Sequence, residues 1–206
     1  MKSLLNIINN NGVAIIPTET VYGLVCSGDS DAALERIFNI KNRGNNSVVA
    51  VLCGNVEWFL EYAICSGNIK EIIRQCSPSA TTWVLDFPND CVFVVNLALK
   101  AKHVNRNGTV SVGVRVPNSR FCLDVLHDFG KPIAATSVNI SGEKPAVLFT
   151  DIAENIVQNV DYVTEGNAKY SGSGVPSTIV KISDGNVSFL RKGENYILIS
   201  EKLSVI

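Results

Sequence analysis

Apolar and polar positions along this chain follow two periods, and the changes from one to the other mark out its elements. Leu4, Leu5 and Ile8 share one helical face, and Asn9 to Gly12 close that helix before the run Val13-Ala14-Ile15-Ile16. A continuous apolar run of that length, ended by Pro17, predicts a buried strand that breaks into a loop at its carboxyl end. Asp29, Ser30 and Asp31 offer caps for a helix in which Leu34, Ile37 and Phe38 recur at helical spacing; Lys41 continues that inward face and Arg43 follows at the helix end. Ser47 to Leu52, rich in valine, predicts a second buried strand. Helices are predicted around Val56 to Ile64 and where Ile69, Ile72, Ile73 and Cys76 share a face, with Pro78 as the stop. Thr81 to Leu85 and Cys91 to Val95 predict a hairpin around Phe87-Pro88-Asn89-Asp90.

In the second half, Ser111 to Val116 predicts a strand that places Arg115 on the face opposite Val114 and Val116, where an arginine needs an anionic partner. Cys122, Val125, Leu126 and Phe129 stripe a helix capped by Asn118 or Ser119 and ended by Gly130. Strand Ile133 to Ala135 runs out into Thr136-Ser137-Val138-Asn139, an exit rich in hydroxyl and amide groups. A helix from about Thr150 to Val157, a strand from Tyr162 to Thr164 and a glycine-rich loop, Ser171 to Gly174, come next. Two closing strands, Ile179 to Ile182 and Val187 to Leu190, precede a short tail. Interleaved strands and helices with a hairpin among them imply an α/β fold of one mixed sheet flanked by helices.

Composition narrows the function classes. At 206 residues a single domain, 1–206, is the expectation. A formal net charge of -1 gives no global case for nucleic-acid binding. Lys100, Lys102, His103 and Arg106 form a local basic cluster, read as a solvated loop in preference to a phosphate or RNA contact. Six scattered cysteines without a Cys-x-x-Cys pair, and only two histidines, argue against a zinc site and a disulfide scaffold. No apolar stretch approaches the ~20 residues of a membrane span and no signal peptide is read, so reduced thiols and a cytoplasmic location are expected.

The candidate chemistry gathers in the loops. Pro17-Thr18-Glu19-Thr20-Val21-Tyr22-Gly23-Leu24 offers two hydroxyls, a carboxylate and a phenol in one turn. That segment resembles the opening motif of the YrdC-like threonylcarbamoyl-AMP synthases. Lys41-Asn42-Arg43 resembles the family's Lys-x-Arg triplet, and Ser137-Val138-Asn139-Ile140-Ser141-Gly142 its Ser-x-Asn segment. The likeness continues through Val114-Arg115-Val116-Pro117 and Pro176-Ser177-Thr178-Ile179 to Leu190-Arg191-Lys192-Gly193. The chain departs from the family pattern at Gly44, at Ser47-Val48-Val49, at Leu52 and at Ser77-Pro78-Ser79-Ala80.

The resemblance implies a single twisted sheet with a concave basic cavity, in the compact form without a second domain. It implies formation of threonylcarbamoyl-AMP and pyrophosphate from L-threonine, bicarbonate and ATP, with Mg²⁺ on the triphosphate. Lys41 and Arg43 are the implied catalytic cations; either one changed to alanine is expected to abolish turnover without unfolding the chain, since both stand at a helix end. ATP is assigned to Lys41, Arg43, Ser47, Thr82, Ser137, Asn139, Ser177 and Arg191, and threonine to Thr18, Thr20, Tyr22 and Arg115. The implied partner is a threonylcarbamoyl transferase complex that modifies tRNA. Two other readings stay open: a module binding tRNA or double-stranded RNA, or serving ribosome maturation, and a carbamoyl-transfer paralogue with another acceptor.

Overall fold

The computed structural model describes residues 1–42, 44, 49–164 and 172–204. Helix α1 (Lys2–Asn9) leads into β1 (Ala14–Ile16), which turns back through residues 17–22 into an antiparallel partner, β2 (Gly23–Ser27). Helix α2 (Asp31–Ile40) follows, its first turn held by the Ala33 N–H donating to the Ser30 hydroxyl at 3.1 Å. Then come β3 (Ala50–Leu52), α3 (Glu57–Leu60), α4 (Gly67–Gln75), β4 (Thr81–Pro88), α5 (Val92–Val95), β5 (His103–Val104) and β6 (Thr109–Arg115). The remainder comprises α6 (Arg120–Phe129), β7 (Ile133–Ser137), α7 (Glu154–Val157), β8 (Tyr162–Val163), β9 (Thr178–Ser183), β10 (Asn186–Arg191) and α8 (Tyr196–Leu203).

Among the described residues one mixed sheet joins all the strands, in the order β10-β9-β4-β6-β3-β7-β2-β1-β8, with β5 beside β6. Its two faces differ, and the difference makes the site. One face is apolar from end to end: Ile15, Leu24, Val51, Ala134, Val114, Trp83 and Val180 are fully buried in one continuous core. The other face is apolar only under α1 and α6, where Ala14, Ile16, Val25, Leu52 and Ile133 pack against Leu4, Ile8, Val125 and Leu126. Beyond β3 that covering stops. Alternation along β4, β6 and β9 puts Thr82, Val84, Gly113, Arg115 and Ile179 on the uncovered side, where they line open cavities instead of a core.

The register of the edge strand matters as well. Phe189 pairs with Val180 and Arg191 with Ile179, leaving Leu190 as the extra residue of a β-bulge. In an unbroken strand Arg191 would share the core face with Phe189; the bulge turns it onto the open face beside Ile179.

Three expectations are corrected. Cys91 to Val95 is no hairpin strand: Val92–Val95 is the short helix α5, and the antiparallel neighbour of β4 is β6. Packing decides this against the β preference of valine, because Phe93 stacks 5.2 Å from Phe87 and 6.3 Å from Phe59. The tail after Arg191 forms α8, which buries Ile199 and Leu203. The helix expected over Thr150 to Val157 is a 3-10 turn, Phe149–Asp151, followed by α7.

Candidate active site

The loop over residues 17–22 is braced from within and without. The Thr18 hydroxyl donates to the Val21 carbonyl at 2.6 Å and lies 3.0 Å from the Thr20 hydroxyl, and Thr20 is buried. From outside, the Ser173 N–H donates to the Glu19 carbonyl at 2.9 Å and the Gly174 N–H to the Thr20 carbonyl at 2.8 Å. A side chain at Gly172 would overlap the Thr20 carbonyl, so this close approach requires glycine. Tyr22 is buried beside them, and burial pushes its phenol pKa up.

Lys41 is the last residue of the inward face of α2. Asn42 after it takes a left-handed conformation with φ 49, which ends the helix. The Lys41 ammonium, in a residue only 3% exposed, donates to the Ser137 carbonyl at 2.5 Å, the Asn139 carbonyl at 2.7 Å and Asn139 Oδ1 at 3.0 Å. Asn139 Oδ1 also accepts from the Ser137 hydroxyl at 2.6 Å, and its amide donates to the Ile140 and Glu143 carbonyls. Lys41 therefore organises the Ser137 to Glu143 turn from behind. The expectation that it stands outside the core at a helix end is overturned by that burial.

On the open sheet face two guanidinium groups approach one cavity. Arg115 Nη2 pairs with Glu19 Oε1 and lies 3.3 Å from the Thr20 hydroxyl; Glu19 Oε1 also accepts from the Asn118 N–H at 3.0 Å. The anion that Arg115 needs is thus supplied in part by the protein. Arg191 donates from Nε to the Ser177 carbonyl at 2.7 Å and from Nη2 to the Ser177 hydroxyl at 2.9 Å, and that hydroxyl lies 3.0 Å from Thr82 Oγ1. Burial of its guanidinium end and, secondly, the like charge of Arg115 pull the Arg191 pKa down. An anion placed between the two would relieve that repulsion.

The cavity has a volume of about 320 Å³. Thr18, Thr20, Tyr22, Thr82, Arg115, Ser137, Asn139, Ser177 and Arg191 all line it. A chain of this topology, with this set of loops at one concavity, invites comparison with known proteins. Residues 6–193 match the Sua5/YciO/YrdC family model, described as "Telomere recombination". The chain belongs to the Sua5/YciO/YrdC family.

Threonylcarbamoyl-AMP synthase of Mus musculus is 28% identical over 187 residues, an alignment covering 88% of this chain and 62% of that relative. The chain therefore spans about three fifths of that protein's length. Threonylcarbamoyl-AMP synthase of Wigglesworthia glossinidia brevipalpis is 26% identical over 204 residues, covering 97% of this chain and 92% of the other. The crystal structure of P. abyssi Sua5 complexed with L-threonine superposes with a TM-score of 0.75 at 24% identity, covering 93% of this chain and 53% of that one.

Against the residues assigned to the Sua5/YciO/YrdC chemistry from the sequence, nine of the assigned positions line the cavity and Lys41 stands behind it. Arg43 and Ser47 lie outside the described residues. The implied basic lining is tempered: among the described residues that line the cavity, Arg115 and Arg191 are cations and Glu143 is a carboxylate, while Glu19 offsets Arg115. Of the remaining lining, Val49 and Leu52 stood out only as departures from the family pattern and Ile179 only as a motif neighbour, while Ala50 and Glu143 were not singled out from the sequence. The basic cluster is dispersed: Lys100 pairs with Glu35 at 2.7 Å, Lys102 donates to the Val94 carbonyl at 2.9 Å, and His103 enters β5. No helix among the described residues is long and apolar enough to cross a membrane.

Proposed function

We propose that the chain is an L-threonylcarbamoyladenylate synthase acting at this cavity. The observation that carries the reading is the pair of opposed guanidiniums, Arg115 and Arg191, set among hydroxyl groups on an otherwise apolar floor. Such a site offers an amino-acid carboxylate and a polyphosphate separate cationic ends. The names of the relatives, and the L-threonine held by P. abyssi Sua5, support the same assignment.

In the proposed reaction the unprotonated threonine amine bonds to the carbon of bicarbonate while a C–O bond breaks, the hydroxyl leaving with an amine proton as water, and a carbamate results. A carbamate oxygen then bonds to the α-phosphorus of ATP while the bond to the bridging oxygen breaks and pyrophosphate leaves. No nucleophile from the protein is needed; the chain's part is orientation and positive charge. Arg115, with the Thr20 hydroxyl beside it, takes the threonine carboxylate. Arg191, fixed by Ser177 and Thr82, takes phosphate oxygens. Ser137 and Asn139, held by Lys41, border the nucleotide, with Arg43 and Ser47 as further ATP contacts. Mg²⁺ arriving with the triphosphate would be held chiefly by the nucleotide itself and would offset its charge, with Glu143 as the lining carboxylate that would assist. The adenylate would pass to a threonylcarbamoyl transferase for tRNA modification.

The test is pyrophosphate release from ATP and bicarbonate with L-threonine, L-serine or no amino acid. Release that requires both threonine and bicarbonate is expected. ATP binding without release in any mixture would overturn the reading.

A further inference from the structure

The two arginines of the cavity are not equivalent, and the difference lies in a residue that the reaction as written leaves without a part. Arg191 is held only by the carbonyl and hydroxyl of Ser177, and among the described residues it has no carboxylate partner. Its full charge is available to a ligand. Arg115 is paired with Glu19, the two side chains being 10% and 14% exposed. Glu19 is itself anchored twice, by the Asn118 N–H on its carboxylate and by the Ser173 N–H on its carbonyl.

The pair also restricts geometry. A bidentate grip on phosphate uses two nitrogens of the guanidinium fork. On Arg115, Nη2 is engaged by Glu19 and Thr20, and Nε is buried without a partner. Nη1 makes no hydrogen bond to a described residue, which leaves a single nitrogen for the cavity.

We infer that Glu19 is a specificity-determining residue: by neutralising Arg115 and occupying its fork, it reserves that end of the cavity for a singly charged carboxylate and excludes polyphosphate. This rests on the function proposed above. A carboxylate is satisfied by that one nitrogen donor; a polyphosphate needs net positive charge, and finds the charge of Arg115 already offset by Glu19. Polyphosphate is thereby directed to Arg191, and the two substrates bind in one orientation.

The experiment is calorimetric titration of the purified full chain with pyrophosphate and with L-threonine, for wild type, Glu19→Asp, Glu19→Gln and the double variant Glu19→Gln/Arg115→Gln. Glu19→Gln is expected to bind pyrophosphate about tenfold more tightly or with a second equivalent, since one unpaired charge nearby is of that order. In that variant pyrophosphate competes with threonine, and the threonine KM rises while the ATP KM stays within about twofold. Glu19→Asp keeps the wild-type pyrophosphate affinity, and the double variant loses the gain. Unchanged pyrophosphate binding in Glu19→Gln, or a gain that survives in the double variant, would overturn the role. Should Glu19→Gln fail to fold, wild type alone decides: pyrophosphate and threonine must bind together, and displacement of one by the other refutes the inference. A wild-type chain that binds pyrophosphate but no threonine refutes the function itself.

Discussion

Changing Lys41 to alanine separates two roles that a lysine near a nucleotide can have. If its ammonium only met substrate, the variant would lose turnover and melt like wild type. The structure gives it three protein acceptors, the Ser137 and Asn139 carbonyls and Asn139 Oδ1, at 2.5 to 3.0 Å. Hydrogen bonds from a charged donor contribute about 1.5–3 kcal/mol each, and orphaned buried acceptors cost about as much. Water entering the vacated space recovers part of this, and the desolvation cost of the ammonium disappears with it. A net loss of about 3 kcal/mol remains, which for 206 residues lowers Tm by about 6–12 °C. Calorimetric melting at neutral pH reads it directly. Lys41→Met, which keeps the aliphatic stem, should fall nearly as far, because the acceptors stay unpaired. A Tm within about 2 °C of wild type in Lys41→Ala would refute the bracing role.

Three more perturbations follow from the geometry. In Gly172→Ala a methyl overlaps the Thr20 carbonyl and displaces the 172–174 clasp; steady-state kinetics should show kcat/KM for threonine reduced about 100-fold, as for a misplacement of about 1 Å. Arg191→Lys cannot hold both the carbonyl and the hydroxyl of Ser177, so the ATP KM should rise roughly tenfold while the threonine KM stays within about twofold. The Arg36 hydrogen bond holds the Asp161 pKa below its ordinary value, so this pair's stabilisation is full above the unfolded pKa of about 3.9 and is lost as pH falls through the lowered folded value. The Tm difference between wild type and Asp161→Asn should therefore be largest near neutrality and shrink as pH falls below the unfolded carboxylate range; a difference that keeps its full size in strong acid would contradict the assignment.

Periodicity made much of this fold legible. The stripes of α2 and α6, with Ser30 and Ser119 as their caps, stand where the helical spacing put them. The inward course of Lys41 was visible as the next position on the α2 face. Less legible were elements that tertiary packing decides. Val92, Val94 and Val95 favour strand locally, yet Phe93 is drawn against Phe87 and Phe59 and the segment coils into α5. In α8 apolar residues fall on both faces, Ile197 and Leu198 outward and Ile199 and Leu203 inward, so no stripe announced the helix. β2 was hidden because its apolar run directly follows a loop that commands attention for its chemistry. The site loops could be named from their hydroxyls and cations, but the pairing of Glu19 with Arg115 joins separate loops and leaves no local trace.

The extra residue at Leu190 makes the length of an outer strand a matter of odd and even. Solvent-exposed edges ordinarily tolerate the gain or loss of a residue, since little packs against them. Here deletion of Leu190 would restore regular pairing and keep the arginine opposite Ile179, whereas losing the bulge at full length would pair Leu190 with Ile179 and turn the arginine to the core face. Among homologous chains, then, the bulge and the extra residue should be gained or lost together.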